Sequence, residues 1–416
     1  MNKITKINLH EKCRTILKEK VEDGITKSSF TSNNFLSLDI LSNLNEIENS
    51  LPERTRQHLK AVISENPVRD FIYSEIYYDL KNNRTRDDNC KEQSLRSIDK
   101  YKDIGTVSDE LINNLLNPIR SYTIFFEILD SYTDCGLWSF LEKNSLKLSD
   151  SVELVQLTSL DLEKKYLITQ EKRLGLLESP PLSSGKTCLK ISHNGYFPIF
   201  DGPSKKEVYN IFKESLLICN TIGLVDIRST PIQRDKSYFA FENISEDQYN
   251  HIDSFCYSSG YGFYPSINVS DYFRNMDNDR KPEFLANASN QIQTYFNMNN
   301  KVRATARWLM NSYLSENNLL AYIQATTAIE ILLGEKKYTD TLGIQNLISN
   351  RMAYSIAKSP VERNEIISKF KKIYDTRSNI VHNGAEELGD TAQDDLKQLQ
   401  NYIHRLLRHE IDLASY

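Results

Sequence analysis

The chain has 416 residues, 39% hydrophobic and 26% charged, enough to bury two or three cores. Its net charge of -5 is uneven: residues 296–416 carry 15 basic and 14 acidic side chains, leaving 36 basic and 42 acidic before them. That excludes a protein that holds nucleic acid by bulk charge alone; any nucleic acid must be gripped locally. Residues 1–18 mix Lys3, Lys6, His10, Glu11, Lys12 and Arg14 with isolated aliphatics, which is no signal peptide, and no later run approaches the roughly eighteen apolar residues of a membrane span. A cytoplasmic protein with no membrane partner is expected. The six cysteines stand singly, with no C-x-x-C and no histidine at ligand spacing, so they read as small buried hydrophobes, and neither a metal site nor a cofactor is expected.

Residues 1–150 read as mostly helical. Leu9–Val21, Pro52–Ile63 and Val68–Leu80 have helical spacing, and Pro52 suits a first helical position. Lys81–Tyr101 is polar apart from Leu95 and Ile98 and reads as an exposed loop. Ser108–Leu129 is expected to be helical again, kinked or split at Pro118.

Residues 151–285 change period and read as a mixed α/β section. Val152–Leu157 and Thr187–Ser192 suit strands. Ser204 and Glu207 form a capping-box pattern ahead of a helix ending at Gly223. Leu224–Arg228 and Ser237–Phe241 suit strands, Ser245 with Gln248 a second capped helix, and Ser266–Ser270 a last strand. That order is the ferredoxin-like split βαβ arrangement. Two motifs here mislead. Ser184-Gly185-Lys186-Thr187 has the tail of a phosphate loop, but Pro180 stands at the place of its first glycine and a strand follows. Lys236–Phe241 resembles a base-stacking strand, yet the strand around Leu189 and Ile191 lacks the matching aromatic, so core packing is the better reading.

Residues 286–416 read as an all-α bundle with short connections, which makes the whole chain α+β. Ala288–Leu314 has a weak point at Asn297–Asn300. Leu319–Leu333 is apolar on more than one side and should be the central helix, and Thr341 can cap Leu342–Ala357. Ser359-Pro360-Val361-Glu362 combines a capping box with proline at the first position, a strong start for a helix that Asn383-Gly384 stops. Asp394–Leu413 closes the bundle.

In the fourth of these helices the run Tyr374-Asp375-Thr376-Arg377-Ser378-Asn379-Ile380-Val381-His382 interrupts the apolar stripe with chemistry-bearing residues. Arg377 and His382 lie about 140° apart around the helix, while Ser378 and His382, four apart, share a face. Together with Ala328–Leu333 upstream and Leu406-Leu407-Arg408 downstream, Tyr374–Gly384 resembles the HEPN superfamily, and within it the ApeA-like HEPN domain of bacterial antiphage proteins. The resemblance covers roughly Asn290–Tyr416. The mark of the family is arginine, four to six residues, then histidine, late in a helix of a small bundle. Arg377, Ser378, Asn379 and His382 fill it here.

The resemblance implies a metal-independent RNA endonuclease of antiviral-defence, toxin or abortive-infection type. It also implies an RNA substrate and a homodimer in which two Arg–His motifs share a cleft. Some family toxins carry a modifiable tyrosine two places after the histidine; Gly384 stands there, so that mode of control is not expected. RNA supplies its own 2′-hydroxyl nucleophile, so the protein needs a proton-transfer group, His382, and a phosphate clamp, Arg377. Glu330 orients Arg377, pairs with Arg351 or lies on a solvated face, and Lys369, Lys371 and Lys372 are candidates for RNA phosphates, although a solvated helix face is the more common meaning of such lysines. The bland reading has Arg377 salt-bridged to Asp375 or Glu330 and His382 capping its own helix end. His404 and His409 read as a polar surface stripe. Residues before 286 would then sense a phage-derived or protein trigger, restrain the active site or choose the RNA. The alternative is a catalytically silent HEPN dimer that scaffolds RNA or protein.

Overall fold

The structure is a computed structural model. It describes residues 9–30, 44, 48, 51–83, 93–129, 136–141, 145–159, 184–231, 237–246, 248–256, 265–335, 343–383 and 387–415. The architecture is α+β, with a mixed sheet in the middle and a helical C-terminal region.

The N-terminal helices are α1 (Glu11–Lys27), α2 (Glu53–Val62), α3 (Pro67–Asn83) and α4 (Ile104–Leu115), with a short pair β1 (Ser29–Phe30) and β2 (Gln93–Ser94). They enclose their own core of Leu17, Val21, Phe71, Ile76, Ile112 and neighbours. Leu95 and Tyr101, in the stretch expected to be an exposed loop, are fully buried in that core, each within a tight helical turn. Two well-placed apolar side chains were enough to fold a polar segment down. Residues 84–92 lie outside the described residues.

The helix expected to reach Leu129 stops at Leu115, and after Pro118 the chain becomes strand β3 (Arg120–Leu129). Proline lacks the amide a helix needs and pushes its predecessor out of the helical region. The run Tyr122–Leu129 is apolar enough to be read either way, and periodicity alone does not separate a buried strand from a buried helix. Strands β4 (Ser145–Lys147), β5 (Val152–Gln156), β6 (Thr187–Gly195), β8 (Ser237–Ser245) and β9 (Gln248–Cys256) join β3 in an antiparallel sheet of order β4-β5-β6-β3-β8-β9. The split βαβ arrangement is therefore not formed. An inner strand comes from before residue 151. Ser245 and Gln248 face each other across a hairpin instead of capping a helix, because S-x-x-Q spacing also suits a two-residue turn.

Helix α5 (Pro203–Thr221) covers one face of the sheet, its Phe212 ring stacked on Phe126 at 4.3 Å. Ser204 does not cap α5. Its hydroxyl accepts the Tyr196 amide, and Gly202 is the N-cap. Beyond α5 come β7 (Val225–Pro231), paired with β10 (Pro265–Val269), and a single turn α6 (Asp271–Arg274). The opposite sheet face carries a small cluster of Phe125, Val155, Cys188, Phe239 and Phe241, so the aromatic strand is core packing. Lys186 lies 2.7 Å from the buried Glu127 and Thr187 opens β6, which disposes of the phosphate-loop reading.

The bundle comprises α7 (Lys281–Phe296), α8 (Asn300–Leu314), α9 (Asn318–Leu333), α10 (Ile344–Ile356), α11 (Pro360–Asn383) and α12 (Asp390–Ala414). The weak point at Asn297–Asn300 is a true break: the Asn299 side chain accepts from the amides of Lys301 and Val302 and caps α8. Thr341 lies outside the described residues, and α10 begins after Gly343. One continuous apolar core runs from Tyr122 and Leu189 in the sheet, through Phe212 and Leu216 of α5, to Ile329, Phe370 and Leu406 of the bundle. No described helix is long and apolar enough to cross a membrane.

Gly202 shows how tightly the N-terminal helices meet this core. A Cβ there would sit 2.5 Å from the Ile63 carbonyl oxygen and 2.8 Å from Pro198 Cγ. Its φ of −150° suits any residue, so the obstacle is contact alone. Gly202→Ala is expected to lower unfolding free energy by about 1–3 kcal/mol in a urea titration. An unchanged midpoint would show that the junction yields freely.

Candidate functional site

Helix α11 starts as its residues dictate. Pro360 is its first residue, the Ser359 hydroxyl accepts the Glu362 amide at 3.2 Å, and the Glu362 carboxylate accepts the Lys358 amide at 2.7 Å. Glu362 also holds Arg405 of α12 at 2.7 Å, pinning this end of the helix. Ile366, Phe370 and Ile373 then form the buried stripe, and the polar run begins where the stripe ends.

Tyr374, half-buried, donates its hydroxyl to Glu330 Oε1 of α9 at 2.8 Å. Arg377 approaches the same oxygen with Nε at 3.6 Å, an ion pair without a hydrogen bond, and its guanidinium carbon lies 5.6 Å from the Tyr374 ring centroid. Arg377 Nε is itself buried with no hydrogen-bond partner. The tyrosine thus takes the carboxylate oxygen that would otherwise bind the arginine tightly. The guanidinium is neutralised and stacked, yet keeps donors for another acceptor. Burial, then the bond to Glu330, pushes the Tyr374 hydroxyl up to about 12, so it stays a donor throughout the physiological range.

Of the two partners expected for Arg377, the structure places Glu330 on it and not Asp375, whose carboxylate accepts Gln345 Nε2 at 3.0 Å. Arg351 pairs with Glu335 at 2.7 Å, leaving Glu330 to Arg377 and Tyr374. The Tyr322 hydroxyl donates to the Ile373 carbonyl at 2.9 Å, one turn before Arg377. Ser378 is partly buried, and Asn379 and His382 are exposed, His382 in the last turn of the helix. Gly384 lies outside the described residues.

Five helical residues separate Arg377 and His382 by about 7.5 Å along the axis and 140° around it, so their side chains diverge. Lys371, Ser378 and His382 do fall on one face, at spacings of seven and four. Lys371 and Lys372 are exposed. Lys369 is not available to a ligand in the same way, because its ammonium is paired with Asp395 of α12. Tyr374 is the participant to which the sequence pattern assigns no role. The signal that marks it is its spacing of three from Arg377, which stacks neighbouring side chains on a helix.

His404 does not belong to a surface stripe. Its ring is enclosed among α5, α8 and α12: Nδ1 lies 2.7 Å from Thr221 Oγ1 and Nε2 lies 3.1 Å from the Tyr313 hydroxyl. Thr221 donates its own proton to the Leu217 carbonyl at 2.9 Å, so it must accept from Nδ1–H while Tyr313 donates to Nε2. The neutral imidazole protonated at Nδ1 fits both bonds. Burial accordingly lowers the His404 pKa to about 4. Because the folded pKa lies below the ordinary 6.5, the native state binds the proton more weakly than the unfolded chain. The His404 contribution is therefore complete above pH 6.5 and is lost as pH falls toward 4, by up to about 3 kcal/mol. Denaturant titrations from pH 7 to pH 4 should show that slope in the wild type and a shallower one in His404→Gln. Equal slopes would remove His404 as the cause.

Cys188 and Cys219 are buried, and burial pushes the Cys219 thiol up to about 12, so both behave as hydrophobes. A polar cleft of about 660 Å³ between α7 and the end of α12 is lined by Asn290, Gln291, Thr294 and Asp412 among others, with no basic side chain and none of the α11 residues. Comparison of the chain with protein-family models, curated proteins and solved structures gave no match.

Proposed function

We propose that the chain is a metal-independent RNA endonuclease of HEPN type, acting as a toxin or abortive-infection effector in antiviral defence. The observation that carries this reading is the Tyr374–Glu330–Arg377 arrangement, which leaves a stacked, neutralised guanidinium with donors to offer, on the helix whose last turn exposes His382. In the reaction, the RNA 2′-oxygen attacks the adjacent phosphorus as a histidine takes its proton. The bond to the 5′-oxygen breaks, and that oxygen receives a proton, leaving a cyclic phosphate and a free 5′-hydroxyl. Arg377 donates to the phosphoryl oxygens as charge builds on them, and Glu330 and Tyr374 keep it in place.

Arg377 and His382 of one copy point apart. Two copies meeting along α11 would bring the arginine of one to the histidine of the other, so the reading includes a homodimer. The sheet and N-terminal helices would sense a trigger, restrain the cleft or select RNA, and the core shared by sheet and bundle gives them a mechanical connection to it.

The test is incubation of full-length protein with cellular RNA in chelator, beside Arg377→Ala and His382→Ala. Expression of wild type against His382→Ala gives the same comparison as toxicity in cells. Cut ends from wild type alone are the expected result. Cleavage that survives both substitutions, or that requires added metal, would sink the mechanism, and RNA binding without cut ends would favour the silent scaffold.

A further inference from the structure

Glu214 of α5 is fully buried and faces two arginines of α8, with Arg303 Nε 2.8 Å from one carboxylate oxygen and Arg307 Nη1 2.5 Å from the other. Lys213, the preceding residue, enters the same groove. Its ammonium lies 2.9 Å from Asn311 Oδ1, one turn beyond Arg307, and 4.4 Å from the centroid of the Tyr209 ring. Two guanidinium groups therefore share one buried carboxylate, and a third cation, Lys213, stands beside Arg307. Glu207, exposed two turns earlier on α5, also acts on Arg303 but through solvent.

Among the described residues Lys213 has no carboxylate partner, and neither arginine has a second. Burial, and then repulsion from Arg307, holds the Lys213 pKa below that of an ordinary lysine. The arginine side chains remain 27% and 31% exposed, so the uncompensated charge is accessible. An arriving anion would relieve the repulsion and find guanidinium and ammonium donors already placed.

The groove also has a definite level in the bundle. Thr305 donates to the Ala328 carbonyl at 3.3 Å and Lys301 to the Gly334 carbonyl at 3.4 Å. The N-terminal half of α8, carrying the arginines, therefore runs beside the C-terminal half of α9, carrying Glu330. Arg303 and Arg307 lie two positions to either side of Thr305, so they point to the face of α8 away from α9, toward α5.

We propose that Lys213, Arg303 and Arg307 form a phosphate-binding groove for the backbone of single-stranded RNA, on a face of the bundle apart from Arg377, an assignment of ligand that rests on the nuclease reading above. The partly exposed Tyr209 ring beside Lys213 offers a surface on which a base can stack.

The experiment is fluorescence anisotropy of the full chain with a 2′-O-methyl RNA oligonucleotide, which lacks the nucleophile and is not cut. Wild type, Lys213→Gln and Lys213→Arg are compared across a salt series. Neutralising Lys213 is expected to weaken binding about 3–10-fold at low salt and to reduce the slope of log affinity on log salt by about 0.7, while Lys213→Arg retains both. Equal affinity and slope for wild type and Lys213→Gln would overturn the groove, as would failure of the wild type to bind the oligonucleotide. The nuclease reading fails separately: Lys213-dependent binding without cleavage of unmodified RNA would keep the groove and remove the endonuclease. Cleavage abolished by His382→Ala but indifferent to Lys213→Gln, in rate and binding alike, would do the reverse.

Discussion

His382→Ala is expected to lower the rate of RNA cleavage by roughly 10² to 10⁴ while leaving affinity for uncut RNA nearly unchanged. His382 is exposed in the last turn of α11, so its removal opens no cavity and the variant should melt with the wild type. Arg377→Ala should cost a similar factor in rate and weaken binding as well, because the guanidinium contacts phosphate before and during the displacement. Arg377→Lys keeps the charge and loses the planar fork, so only partial activity should return. Tyr374→Phe frees Glu330 Oε1 to take Arg377 in a closer ion pair, and a fall in rate with little change in melting is the expected signature. The sharpest measurement mixes protomers. If the arginine of one copy serves the histidine of the other, Arg377→Ala and His382→Ala chains are each inactive alone but regain activity when mixed, since some dimers then hold one intact pair. Absence of recovery in verified mixed dimers would reject the shared cleft.

Glu214→Ala is expected to destabilise the protein by about 3–5 kcal/mol, the largest stability effect the structure implies. The carboxylate is fully buried and is the common partner of Arg303, Arg307 and the Tyr295 hydroxyl at 3.2 Å. Removing it leaves two guanidinium groups beside Lys213 in a half-buried groove, with only the exposed Glu207 acting on Arg303 from a distance. Glu214→Gln should recover little, because it restores an acceptor but not the charge. Chemical denaturation followed by both tryptophan fluorescence and circular dichroism is the appropriate measurement. Sheet and bundle share one apolar core, so both signals should shift together. A loss below 1 kcal/mol would mean that the arginines swing into solvent at no cost.

Much of the bundle is legible in the amino-acid sequence. The capping box at Ser359–Glu362, the break at Asn299 and the apolar stripes of α9 to α12 are local signals, set by backbone valence and by the period of 3.6 residues. The sheet is less legible. Tyr122–Leu129 and Ser245–Gln248 carry patterns that suit either structure, and only their neighbours decide: β6 and β8 on either side of β3, and β8 against β9 across a two-residue turn.

The candidate site divides in the same way. Spacing along the chain is sufficient to put Arg377, Ser378 and His382 on one helix at known angles, because helical geometry depends on little else. It leaves open which carboxylate Arg377 meets, that Tyr374 shares it, that Lys369 is taken by Asp395, and that His404 is enclosed with its proton assigned. Those outcomes join residues between 26 and 183 positions apart in the chain. Helix packing settles them, because an ion pair or a hydrogen bond exists only where two side chains arrive within a few ångströms of each other.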